Sequence, residues 1–160
     1  MNIQHLVFAP AALVFGLWGV VRSPAPAIAS AGVCGLITRQ EAAAALGAPV
    51  PAGAENIVYA PLMGRSVKLE FCRYGTEVSV ARYALGPEAT SLFGKYRQSL
   101  LDEGYLNVKG VGDEAFIAKG QLAARVGNTG LIVDVGQARG GGAPEQRAET
   151  ALAKLAISRM

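Results

Sequence analysis

The sequence predicts an α+β fold, a mostly antiparallel sheet (or sheets) with three helices in the order α-βββ-α-βββ-α. Three observations predict it. Runs with an apolar side chain at every second residue come in groups separated by short turn sequences. Segments with apolar residues at helical spacing, bounded by helix start and stop residues, flank each group. The composition, 51% hydrophobic and 17% charged, is rich enough in apolar side chains to fill a core. A chain of 160 residues is of one-domain length once a leader is set aside. The expected boundaries are a signal peptide over 1–29 and a single disulfide-bonded domain over 30–160.

The first helix is expected to start at Thr38. Thr38-Arg39-Gln40-Glu41 is a capping box, in which each of the two end side chains satisfies the other residue's backbone N–H. Ala42, Ala45 and Leu46 form its apolar stripe, and Gly47 stops it. Ile57 to Ala60 is a candidate short strand. In Ser66 to Tyr74, Val67, Leu69 and Phe71 alternate with Ser66, Lys68 and Glu70, and Gly75-Thr76 turns the chain into a second strand ending at Tyr83. Cys72 then points away from the Val67/Leu69/Phe71 face.

The second helix opens at Gly86-Pro87-Glu88, with Pro87 in its first position, and runs to Gly104. Leu92, Tyr96 and Leu100 fall on one side of it, widened by Phe93 and Leu101. Tyr105 to Lys109 is extended. The second strand group covers Ala115 to Lys119, Gln121 to Val126 and Gly130 to Val135, with Gly127 to Gly130 as a hairpin connection. Arg139-Gly140-Gly141-Gly142 is a flexible loop. Pro144 opens the last helix, whose stripe is Ala148, Ala151, Leu152, Leu155 and Ala156; Glu145 in its first turn and Arg159 in its last favour the helix dipole. Helices joined to hairpins in this way are expected on one face of the sheet. The order is also the one a duplicated unit would give, although no residue-level repeat accompanies it.

The N-terminus reads as a leader. Leu6 to Val21 is apolar and uncharged, and shorter than the roughly 20 residues of a bilayer span. Ala27-Ile28-Ala29 before Ser30 is a small-residue cleavage pattern, held extended by Pro24 and Pro26. Met1 to His5 lacks Lys and Arg, and Arg22 follows the apolar run. An uncleaved membrane anchor through residues 6–21 is therefore the competing reading. Cleavage would leave 14 basic and 12 acidic residues. No Lys/Arg cluster interleaved with aromatics exists, which excludes a nucleic-acid partner.

Cys34 and Cys72 are the only cysteines. An even pair in an exported domain reads as a disulfide, with two buried thiols as the alternative. The spacing excludes a CxxC redox pair, and two sulfurs without a nearby histidine do not make a zinc site. The one histidine, His5, lies in the leader. Histidine-dependent nucleophilic catalysis and His-ligated metal are thereby excluded from residues 30–160, and no catalytic residue, metal ligand or cofactor is expected.

The most distinctive string is Gly110-Val111-Gly112-Asp113-Glu114-Ala115. It reads as a glycine-rich turn feeding a strand, or as an acidic loop holding a cation or a ligand amine. Two adjacent carboxylates are too few for a calcium loop, and the string lacks the full dinucleotide fingerprint. Asp102 with Glu103, or Glu70 with Glu77, are candidate acid/base pairs that surface charge explains better. Trp18 belongs to the leader, so Tyr59, Tyr74, Tyr83, Tyr96 and Tyr105 are the aromatic faces left besides phenylalanine. Arg73 and Arg82 flank one hairpin, where an anion would bind.

Several strings occur together in order: Cys34-Gly35-Leu36-Ile37-Thr38, Glu41-Ala42, Leu46-Gly47, Cys72-Arg73-Tyr74, Gly110 to Ala115, Arg125-Val126-Gly127-Asn128 and a C-terminal Ala/Leu helix. This order resembles a family of small exported bacterial proteins and lipoproteins without an established activity, common in actinobacteria. More distantly it resembles the extracellular sensor domains of some bacterial Ser/Thr kinases. The resemblance implies a cell-envelope location, a Cys–Cys bridge and an α+β fold. Val33 departs from the small residue that lipid attachment to Cys34 requires. The expected role is a non-catalytic binding or accessory domain with an envelope protein or small ligand as partner. The alternatives are a small carboxylate-dependent hydrolase and a membrane-anchored sensory domain.

Overall fold

A computed structural model describes residues 32–62, 64–136 and 142–160. The apolar run 6–21, the cleavage pattern 27–30, His5 and loop positions 139–141 lie outside the described residues.

The fold is α+β. Helix α1 is Arg39–Leu46. A meander follows: β1 Ala54–Leu62, β2 Arg65–Tyr74 and β3 Val78–Ala84. Helix α2 is Ala89–Gln98. Then come β4 Leu106–Asn107, β5 Glu114–Ala118, β6 Gln121–Val126 and β7 Thr129–Val135, and α3 Ala143–Ile157 closes the chain. The seven strands form one antiparallel sheet ordered β1-β2-β3-β7-β6-β5-β4. The two meanders meet through their last strands, with Val80 of β3 opposite Val133 of β7.

The helices cover both faces of the sheet, not one. On the first face, α1 and α3 pack over Cys72, Tyr74, Val80, Leu122 and Val133. On the second, α2 brings Leu92 and Phe93 onto Tyr83, Phe116 and Ala123. The reason lies in β5 and β6. Ala115-Phe116-Ile117-Ala118 and Leu122-Ala123-Ala124 are buried without interruption, so the centre of the sheet is apolar on both sides and needs two covers. Phe116 receives the rings of Phe93, Tyr96 and Tyr105 at 5.2, 5.5 and 5.9 Å between centroids. Burying side chains of this size contributes roughly 1.5–3 kcal/mol each.

The capping box forms as expected. Glu41 N–H donates to Thr38 Oγ1 at 3.2 Å and Thr38 N–H to Glu41 Oε2 at 2.7 Å, and Gly47 ends α1 at φ 70°. Cys34 and Cys72 are bonded, with Cα atoms 4.9 Å apart. The bridge fastens a 3-10 turn at Val33–Gly35 to the α1/α3 face, the side opposite Val67, Leu69 and Phe71. The Tyr74 hydroxyl donates to the Ile37 carbonyl and holds the same segment.

Several elements differ from expectation. β1 spans nine residues rather than four, because Ala54, Glu55 and Asn56 pair with Arg73, Cys72 and Phe71 despite their weak strand propensity. Pro87 lies in a turn ahead of α2, which ends at Gln98. The chain then tightens into a 3-10 turn at Leu101–Glu103, rotating Leu101 outward to 55% exposure instead of widening the stripe. The β6–β7 hairpin is joined by Gly127-Asn128 alone, since Val126 pairs with Thr129. In α3 the buried side is Glu149, Leu152, Ala153 and Ala156, while Ala151 and Leu155 face out. Arg159 lies beyond the helix end and reaches Glu41 through Nη1 and Nη2, at 2.7 Å each.

Candidate functional site: an apolar cleft beside alpha2

The acidic string has an internal partner. Arg125 of β6 donates to Asp113 Oδ2 at 2.9 Å, to Glu114 Oε1 at 3.0 Å and to the Gly127 carbonyl at 3.1 Å. Asp113 Oδ2 also accepts the Gly127 N–H, and Gly112, at φ 57°, lies too close to the Arg125 carbonyl to carry a Cβ. The cation of the acidic loop is thus the chain's own guanidinium. It locks the loop before β5 to the tip of the β6–β7 hairpin, joining two of the strings that carried the resemblance.

The other nominated groups do not converge. Glu70, mid-strand, is paired with Arg82 at 2.6 Å and Lys68 at 2.9 Å, and these cations hold its carboxyl below the ordinary range. Glu77 lies in the β2–β3 turn. Glu103 pairs with Lys119 across a solvent-exposed gap. Arg73 and Arg82 are on opposite faces of the hairpin: Arg73 lies over the Phe71 ring, while Arg82 sits with Glu70. Among the described residues no group of three or more His, Cys, Asp or Glu side chains could hold a metal.

What the structure does bring together is apolar. β1 and β2 stay paired beyond the Leu69–Tyr83 pair at which β3 leaves β2, and a cleft of about 200 Å³ lies beside this arm. Leu62, Val67, Leu69 and Ile132 line it, together with Tyr83 and Tyr96. Tyr83 is 3% exposed, and its hydroxyl has no hydrogen-bond partner. Burial pushes the Tyr83 phenol well above its ordinary value, and the phenol of Tyr96 adds to the shift. The group is therefore a neutral donor at physiological pH. A larger but open trough of about 510 Å³ runs between β4 and α3, over Leu106 and Ile117. It contains no buried unpartnered polar atom.

In the sequence Tyr83 ends a strand pattern and is one of five tyrosines left as aromatic faces, with nothing to set it apart from the others. Its role depends on Gly130, directly opposite on β7, whose missing Cβ gives the ring its place. One residue did escape the sequence reading. Glu149 is fully buried in α3; its Oε1 accepts the Val135 N–H at 3.3 Å and its Oε2 has no partner. Burial pushes its carboxyl up to about 8, with Asp134 and Glu145 adding like charge.

The fold and this cleft define a disulfide-bonded α+β domain of three layers with a small apolar recess at one end. No protein-family profile, no curated protein and no solved structure matches the chain. Among the described residues, no helix is long and apolar enough to cross a membrane.

Proposed function

We propose that the chain is an exported, non-catalytic binding domain of the bacterial cell envelope, related to the exported family its motifs resemble. Its cleft takes up a small uncharged apolar group bearing one acceptor oxygen. The observation that carries this reading is that Tyr83, whose hydroxyl is buried and unpartnered, lines an otherwise largely aliphatic cleft. Buried polar groups are almost always hydrogen-bonded, and we read this exception as the mark of an occupant. A carbonyl on an apolar body satisfies the phenol and fills the recess together.

The Cys34–Cys72 bridge supports delivery to an oxidising compartment, where such bonds persist. The carboxylate-dependent hydrolase gains little support. The carboxyl raised to about 8 is Glu149, sealed from solvent under α3, and the cleft lining contains no carboxylate. Intact mass of the exported chain separates a cleaved leader from a retained anchor.

The binding reading is tested with cyclohexanone, and with cyclohexane as the analogue lacking oxygen. Methyl NMR signals of Leu69 and Ile132 are expected to shift with both, and more strongly with the ketone. Tyr83→Phe removes the preference for the ketone, and Ile132→Trp fills the recess and abolishes both responses. Methyl signals that ignore both probes up to their solubility limits would falsify the reading.

A further inference from the structure

Among the described residues β1 is the long edge strand of the sheet. Among the described residues it pairs only with β2, over nine residues, whereas the opposite edge, β4, has two. Its middle is apolar and open to solvent, with Ile57 53%, Val58 37% and Tyr59 71% exposed. Such an edge is a template for another strand. Two features show which backbone groups face outward. The Ile57 N–H is met by the neighbouring Asn56 Oδ1 at 2.8 Å. Pro61 has no N–H, as suits the outer side of an edge strand. Alternate residues of an antiparallel strand present N–H and C=O to the same side, so Glu55, Ile57, Tyr59 and Pro61 form the outward row.

We propose that β1 pairs antiparallel with β1 of a second copy of this chain, about a two-fold axis at Val58. That register alone pairs 54–62 with itself along its whole length. It sets Ile57 opposite the partner's Tyr59, an aromatic–β-branched pair of the stabilising kind. The strand's single charge, Glu55, meets the partner's Pro61 and lies about 20 Å along the strand from its own copy. Further out, Lys68 beside Tyr59 and the partner's Glu70 beside Ile57 fall in one cross-strand row with opposite signs. On the other face the row is Leu69, Val58 and their two copies, all apolar. Asn56 gives up the Ile57 N–H, and the partner's Tyr59 carbonyl replaces it. A strand of about 30 Å buries an area at the low end for specific interfaces, below about 1,200 Å². The association is accordingly weak and concentration-dependent.

The test is sedimentation equilibrium of the full chain, purified from the compartment to which the host delivers it, from low micromolar to near-millimolar concentration. The mass is expected to rise toward twice the monomer's. Tyr59→Lys, at the most exposed position, is expected to weaken the dimer at least tenfold while the circular dichroism and the Cys34–Cys72 bond stay unchanged. Val58→Cys is expected to form an intermolecular disulfide on mild oxidation, since directly opposed residues at a non-hydrogen-bonded pair lie about 4.5 Å apart at Cα. A wild-type chain that stays monomeric at the highest concentration overturns the proposal, whether its edge is free or taken by its own N-terminal segment. A dimer untouched by Tyr59→Lys and not trapped at position 58 overturns it equally.

Discussion

Gly130 faces Tyr83 across the β3–β7 pair, and a Cβ at Gly130 would run into Cζ and both Cε atoms of the Tyr83 ring. The backbone of Gly130 does not have a positive φ. Its lack of a side chain serves the ring rather than the turn. Gly130→Ala is expected to displace Tyr83, to cost about 1–3 kcal/mol as an overpacking substitution, and to abolish the cyclohexanone response. Urea denaturation and the Ile132 methyl signal check the two effects separately.

Glu149 makes stability depend on pH in an unusual direction. Its folded carboxyl titrates near 8, well above its ordinary 4.5. The folded state therefore holds a proton that the unfolded chain releases. This contribution is fully present below about 4.5 and is lost as pH rises through 8, at about 1.4 kcal/mol per pH unit between the two. Glu149→Gln keeps an acceptor for the Val135 N–H and removes the titration. The variant is expected to exceed the wild type in stability at pH 8–9 and to approach it near pH 4. Glu41 works the other way: Arg159 lowers its carboxyl to about 2, so its contribution exists above 4.5 and disappears as pH falls toward 2. Denaturant midpoints across pH 3–9 read both slopes.

Replacing both cysteines, Cys34→Ser with Cys72→Ser, reopens a loop of 38 residues. The chain-entropy relation puts the loss at about 4 kcal/mol. Tyr74 still anchors Ile37, so the fold is expected to survive at low temperature with a lower urea midpoint. A midpoint unchanged from the wild type contradicts this account of the bridge.

Lys119 takes φ 52° beside Gly120, at φ 71°, in the two-residue turn between β5 and β6. Both values belong to a turn that favours Asn-Gly. The ion pair from Lys119 to Glu103 is solvent-exposed on both sides and adds little. Lys119→Asn is expected to stabilise the domain by about 0.5 kcal/mol, read as a rise in Tm.

Much of this architecture is legible in the residues. Thr38 and Glu41 announce a helix start because a capping box is a local device. Val67, Leu69 and Phe71 announce a strand by their alternation, although the fully buried side chains of β2 are Cys72 and Tyr74 on its other side. The misreadings arise where the deciding force is distant. β5 and β6 are apolar on both sides, so alternation is absent and the second helical layer is hidden. In α3, Glu149 interrupts the buried stripe and makes the wrong side of the helix look apolar. The cleft was harder still to anticipate: Leu69, Tyr83 and Ile132 come from three strands, and only the sheet order brings them to one place. Arg125 was visible as part of a motif, but its attachment to Asp113 and Glu114 follows from strand register alone.

The junction of β3 with β7 governs when the molecule can assemble. Val78 pairs with Val135 across more than a third of the chain, and β7 inserts between two strands already synthesised. A polypeptide emerging amino-end first has no completed middle to its sheet until β7 has followed β6 and paired with β3. Each half on its own leaves a ladder of unsatisfied backbone groups at the seam. Until then the two meanders stay unjoined, and α3, packed on β6 and β7, is the latch that follows.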